Sequence, residues 1–196
     1  MSLGPEFFDR MYAAGADPWG FASRWYEQRK YALTLAVLPE REYDRVLEIG
    51  CSIGILTAAL AQRCHHLVGI DPSGAALEAA RARLPDEVEL HQGSVPRDWP
   101  AGTYDLVVLS EVAYYLDLGD LQRLLDLVER DLTPGGTVVA CHWRHEVADY
   151  PLSGDAVHIE LGRRWPRLSR TEEQDLLLDV LSHDTASVAR RTGLLP

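Results

Sequence analysis

From residue 43 onward, apolar residues arrive in short blocks separated by stretches with helical spacing. Blocks such as Val46-Leu47-Glu48-Ile49 and Leu106-Val107-Val108-Leu109 are rich in Val and Leu, as strands covered on both faces should be. They predict strands at 46–49, 66–70, 88–91, 104–109 and 137–143. Helices are predicted between them at 55–63, 74–83 and 118–132, the last clearly amphipathic. Repeated strand–helix units specify an α/β chain with a mostly parallel sheet and helices on both faces. After residue 143 the pattern changes. Residues 154–161 look helical, and 168–174 and 176–183 read as two strands of an antiparallel hairpin. Residues 5–38 are helical and aromatic-rich, broken at Gly15-Ala16-Asp17-Pro18. The expectation is a three-layer sandwich in one domain over residues 1–196, with a helical cap at 1–40 and the core at 44–196.

The chain has 196 residues, 46% of them hydrophobic, enough for one well-buried core. No apolar run is long enough to span a bilayer, and the opening MSLGPEFFDR lacks a basic region followed by an apolar one. Cys51, Cys64 and Cys141 cannot all pair and lack metal-finger spacing, which fits a reducing compartment. A cytoplasmic location is expected. The net charge of −11 argues against a phosphate-backbone partner and is compatible with a cationic cofactor and an amine substrate. A small-molecule substrate, no nucleic acid and no membrane are the expected partners; the oligomeric state is open.

The richest stretch is Glu48-Ile49-Gly50-Cys51-Ser52-Ile53-Gly54, a strand end, a tight turn and a helix start. A dinucleotide site would need G-x-G-x-x-G, the second and third glycines serving the pyrophosphate and helix packing. Ser52 and Ile55 occupy those two positions, so a ligand without a pyrophosphate is indicated. Gly50 would let the main chain pass close beside the ligand, with Cys51, Ser52 and Gly54 completing the turn. Glu48 would either fix the loop or accept a hydrogen bond from a ligand ammonium. Asp71 ends the next apolar run, roughly 20 residues on, where a carboxylate can accept both ribose hydroxyls. Pro72 would shape the ribose–adenine side. Each piece alone also reads as turn chemistry or a helix cap; the order and spacing together favour a nucleoside cofactor.

This combination resembles the cofactor loop of class I S-adenosylmethionine-dependent methyltransferases, which have a Rossmann-like fold. Thr133-Pro134-Gly135-Gly136 is similar to the turn before their fifth strand, and Tyr104-Asp105-Leu106-Val107-Val108-Leu109-Ser110-Glu111-Val112 to their fourth strand and its loop. The resemblance implies S-adenosyl-L-methionine as cofactor and S-adenosyl-L-homocysteine as product, with Ser110, Glu111 and Val112 beneath the cofactor. Ser94 and Val95 follow the third strand, where the family commonly has an acidic residue near adenine. With Asp17-Pro18-Trp19-Gly20-Phe21 and Trp25-Tyr26-Glu27-Gln28-Arg29-Lys30-Tyr31, the motifs resemble the nodulation methyltransferase family more narrowly. Members of that family N-methylate the free amine of a de-N-acetylated glucosamine at the end of a chitooligosaccharide. The segment from His142 onward does not match that family closely.

The N-terminal helices are expected to close over the cofactor as a lid, with Tyr26 and Arg29 (or Lys30) meeting its carboxylate; packing of aromatics on a sheet edge is the alternative. For methyl transfer to an amine, Glu111, Tyr115 and His142 are the candidate orienting and deprotonating groups. They also read, respectively, as a loop contact, a core aromatic and a satisfied strand-end histidine. A metal is unnecessary. The competing functions are O-methylation of a hydroxylated natural product and cofactor binding without catalysis, the latter implying a plugged substrate mouth.

Overall fold

The computed structural model describes residues 1–195. Two helices, α1 (Pro5–Ala13) and α2 (Trp25–Ala36), form the N-terminal cap. The core follows as β1 (Tyr43–Ile49), α3 (Ile55–Leu60), β2 (Cys64–Asp71), α4 (Gly74–Arg81), β3 (Glu89–Gln92) and β4 (Tyr104–Ser110). It continues through α5 (Leu118–Asp131), β5 (Leu132–Trp143), α6 (Gly154–Arg164), β6 (Arg167–Glu172), β7 (Leu176–Leu181) and α7 (Val188–Arg191). The seven strands make one sheet in the order β3-β2-β1-β4-β5-β7-β6. β1 to β5 run parallel, and β7 is antiparallel to both β5 and β6. The Rossmann-like sandwich and the C-terminal hairpin expected from the sequence are both present.

Strand periodicity sends alternate residues to opposite faces. Leu47, Ile49, Val107, Leu109, Val138 and Ala140 pack with α5 and α6 through Leu121, Leu124, Val128, Val157 and Leu161. Val46, Leu106, Val108, Val139 and Cys141 pack on the other face with Leu38, Leu56 and Leu60. The helix α5 stops at Asp131, and Thr133-Pro134-Gly135-Gly136 is absorbed within the span of β5 as an irregularity. The pairing jumps from Tyr104↔Leu132 to Leu106↔Thr137 there. Strand β1 lies between β2 and β4, and the chain crosses from one side of the sheet to the other at this point. Ligands of open α/β sheets bind outside the carboxyl ends of the strands at such a switch.

Candidate active site

The carboxyl end of β1 enters the turn at Gly50, whose φ is +74°. A β-carbon there would press on Val112 at 3.2 Å, so the loops after β1 and β4 approach each other closely. Glu48 is 3% exposed, and its Oε2 has no hydrogen-bond partner. Burial pushes its pKa up to about 8, opposed in part by the neighbouring Thr57 hydroxyl. Ser52 sits at φ +51° and donates its N–H to Asp71 Oδ2 at 2.9 Å. Asp71 Oδ1 accepts the Ser73 N–H, also at 2.9 Å. Burial raises the Asp71 pKa to about 6, while these two amides pull it down. Asp71 therefore holds the ends of β1 and β2 together and keeps further acceptor directions on both oxygens.

Above these groups lies a cleft of about 930 Å³, its open mouth included. The loops after β1 and β2 line it with Glu48, Gly50, Cys51, Ser52, Asp71 and Pro72, and those after β3 and β4 with Ser94, Val95, Ser110, Glu111, Val112 and Tyr115. Gly54 does not line it; it caps α3 and packs against Ala80. The roof comes from the cap: Phe8, Tyr12, Trp19, Phe21 and Tyr31. The Tyr12 hydroxyl pairs with Ser52 Oγ, and Trp19 packs edge-on to Tyr12 and stacks on Phe21. Of these aromatics, Tyr12 was not legible as a site residue, although Phe8 and Tyr12 lie one turn apart on α1, which is what a covering face requires.

Glu111 is the pivot of the β4 end. Its φ is +56°, a left-handed conformation that costs a non-glycine residue about 1–2 kcal/mol. Its carboxylate is held from three directions. Oε1 accepts from Lys30 Nζ at 3.0 Å, and Oε2 accepts from the Tyr114 hydroxyl and from the Trp143 N–H at 3.0 Å. Lys30 also meets Glu27 at 2.6 Å. Burial alone would lower the Lys30 pKa, but Glu111 and Glu27 outweigh it and raise it. The Tyr115 hydroxyl lies 3.3 Å from that of Tyr150, whose ring stacks on Tyr114 at 4.9 Å.

Three of the expected site residues point elsewhere. Arg29 forms a two-pronged pair with Glu173, at 2.8 and 2.6 Å, beyond the end of β6. Tyr26 packs edge-on against Trp143, and its buried hydroxyl has no partner. His142 is fully buried and shares the strand face of Val138 and Ala140, so it points towards α6 rather than into the cleft. There Gly154 lets α6 approach so closely that a β-carbon would meet the Trp143 carbonyl oxygen. His142 contacts His158 at 3.1 Å, and His158 contacts Asp179 at 2.7 Å. His145 is separate, paired with Asp175 at the surface.

The geometry is that of a nucleoside-binding α/β protein with a roofed cleft, and comparison with known proteins agrees. The family described as "Methyltransferase domain" matches residues 46–136. A crystal structure from Pseudomonas syringae, assigned as a methyltransferase, is 48% identical with a TM-score of 0.72, covering 81% of this chain and 99% of that one. The N-methyltransferase NodS from Bradyrhizobium japonicum, solved with S-adenosyl-L-homocysteine, has a TM-score of 0.82 at 25% identity, over 90% of this chain and 96% of that one. Nodulation protein S of Rhizobium tropici is 31% identical over 64% of this chain, and the match spans 55% of that protein's length. The chain belongs to the class I S-adenosylmethionine-dependent methyltransferases and is similar to nodulation protein S. Among the described residues, no helix is long and apolar enough to cross a membrane.

Proposed function

We propose that the protein moves the methyl group of S-adenosylmethionine to a small-molecule amine, with an amino sugar as the leading acceptor class. The observation that carries this reading is the buried, unpartnered Glu48 Oε2 in the same cleft as Asp71. A buried carboxyl oxygen left without a partner is costly unless a ligand supplies one. The ammonium of the cofactor's methionine end is such a donor, and Asp71 offers acceptor directions for two ribose hydroxyls. The residues therefore fit the cofactor, which when bound supplies an electrophilic methyl on a sulfonium. The likeness to an N-methyltransferase supports an amine as acceptor.

The chain's own part is positioning. Gly50 would let its backbone lie against the cofactor, Ser94 and Val95 would flank its adenine, and the aromatic roof over the cleft would exclude water. Glu111 has three acceptor directions engaged and roughly one free, which suits it to orient an amine N–H beside Tyr115. His142 has no place in the proton transfer, because both of its nitrogens are engaged inside the core. The test is a methyl-transfer screen reading the demethylated cofactor, with de-N-acetylated chitooligosaccharides, other amines and hydroxylated aromatics as acceptors. Turnover confined to amines supports the reading; turnover confined to hydroxyl acceptors contradicts it.

A further inference from the structure

The chain carries 19 lysines and arginines, and a single one of them, Lys30, is lysine. That lysine is 1% exposed. Its ammonium lies 5.8 Å from the Phe21 ring centre, 5.7 Å from Tyr26 and 5.3 Å from Tyr31. Two carboxylates complete the enclosure, Glu27 at 2.6 Å and Glu111 at 3.0 Å. Aromatic faces and anions around one cation are the elements of an ammonium-binding cage. Here the chain fills the cage itself.

We propose that Lys30 is a positioning residue whose caged ammonium ties the N-terminal cap to the loop after β4 and thereby sets the shape of the cofactor cleft. The inference rests on the cofactor reading above. Phe21, Tyr31 and Glu111 all line the cleft, so one ammonium fixes three of its walls. Phe21 and Tyr31 belong to the cap, and Glu111 to the loop after β4. Without the cation, two carboxylates would face each other in a buried site, and they would part or take up a proton. Arginine is a poor replacement, because a planar five-donor fork does not reproduce the compact point charge that two carboxylates and three rings enclose. A compact ammonium on a slim stem fits, which accounts for lysine at this position in a chain that otherwise uses arginine.

The test uses S-adenosyl-L-homocysteine affinity, measured by calorimetry on wild type, Lys30→Ala and Lys30→Arg. The alanine variant lacks the atoms of n-propylammonium, so that ion is the rescue probe. Lys30→Ala should bind at least about tenfold more weakly, Lys30→Arg should also be weakened, and propylammonium should restore the alanine variant alone. Wild-type affinity in Lys30→Ala overturns the proposal. So does a loss that propylammonium leaves unmoved in a variant with a native circular dichroism spectrum. An independent readout avoids mutation. Within residues 1–196 Lys30 is the one lysine, so its labelling by an amine-reactive reagent is read at a single peptide, with a free alkylamine as control. Labelling of Lys30 should be slow, and slowed at least about tenfold further by S-adenosyl-L-homocysteine. Labelling at the rate of a free alkylamine, or a rate indifferent to a ligand that binds, overturns the proposal. Wild type that binds no S-adenosyl-L-homocysteine refutes the cofactor reading instead, and the unliganded labelling rate still decides the cage.

Discussion

His142 Nε2 accepts the backbone N–H of Ala113 at 3.3 Å. An amide is always a donor, so this bond settles the tautomer of a buried relay. Nε2 carries the lone pair, and Nδ1–H donates to His158 Nε2. His158 Nδ1–H then donates to Asp179. Burial alone would raise the Asp179 pKa, but Arg170 and His158 outweigh it and hold the carboxyl well below its usual range. The relay supports the turn over residues 113–115, which brings Tyr115 to the cleft and the Tyr114 hydroxyl to Glu111. His142→Asn is expected to lose about 1–3 kcal/mol of stability, measured by urea denaturation, because the Ala113 amide and His158 lose a partner. The pH–rate profile of the variant should keep the wild-type inflections. Disappearance of an inflection between pH 6 and 8 would restore His142 as a base.

The same residue sets a pH dependence of stability. Burial pushes the His142 pKa well below 6.5. The unfolded chain takes up a proton there that the folded ring refuses, so the folded state is disfavoured as acid is added. The stability is complete above about pH 6.5 and is lost as pH falls towards the lower folded value, at up to about 1.4 kcal/mol per pH unit. Urea midpoints between pH 8 and pH 5 should therefore drop less in His142→Asn than in wild type.

Glu48 behaves in the opposite sense. Its folded pKa of about 8 lies above the ordinary 4.5. The folded chain holds a proton that the unfolded one releases, so this contribution is complete below about pH 4.5 and lost as pH rises through 8. Glu48→Gln should be more stable than wild type at pH 8, yet bind S-adenosyl-L-homocysteine at least about tenfold more weakly. Denaturation and calorimetry at that pH check both halves; equal affinity in the two proteins would contradict the ammonium role.

Asp71→Asn should weaken S-adenosyl-L-homocysteine by about 10- to 100-fold, because an amide cannot accept at both atoms as a carboxylate does. Its circular dichroism spectrum should remain native. Titration of S-adenosyl-L-homocysteine that matches wild type would remove Asp71 from the ribose.

Arg29→Ala should leave cofactor affinity within about twofold of wild type, since the guanidinium faces Glu173 at the surface. A large loss on calorimetric titration would place Arg29 at the ligand after all.

What the sequence disclosed and what it hid follow from one distinction. The turn at Gly50, the acid at the end of β2 and the strand blocks are local patterns, and local chemistry specifies them. The direction of a side chain depends on register and helix phase, which local patterns leave open. Arg29 and Lys30 are neighbours in sequence but about 100° apart around α2, so one meets Glu173 outside and the other Glu111 inside. His142 and Trp143 are likewise adjacent and on opposite sheet faces, one towards α6 and the other against Tyr26. Phe8 and Tyr12 were hidden because α1 meets the core across long sequence separation, as in the Tyr12–Ser52 hydroxyl pair.

The most direct test is calorimetric titration of S-adenosyl-L-homocysteine into the wild-type protein at pH 7, repeated in buffers of different ionisation enthalpy. The expected result is saturable binding with a Kd of about 1–100 μM, accompanied by proton release approaching one per site as the ligand ammonium draws Glu48 into its charged form. No saturable binding at millimolar ligand, or binding with proton uptake, would contradict the assignment of this cleft.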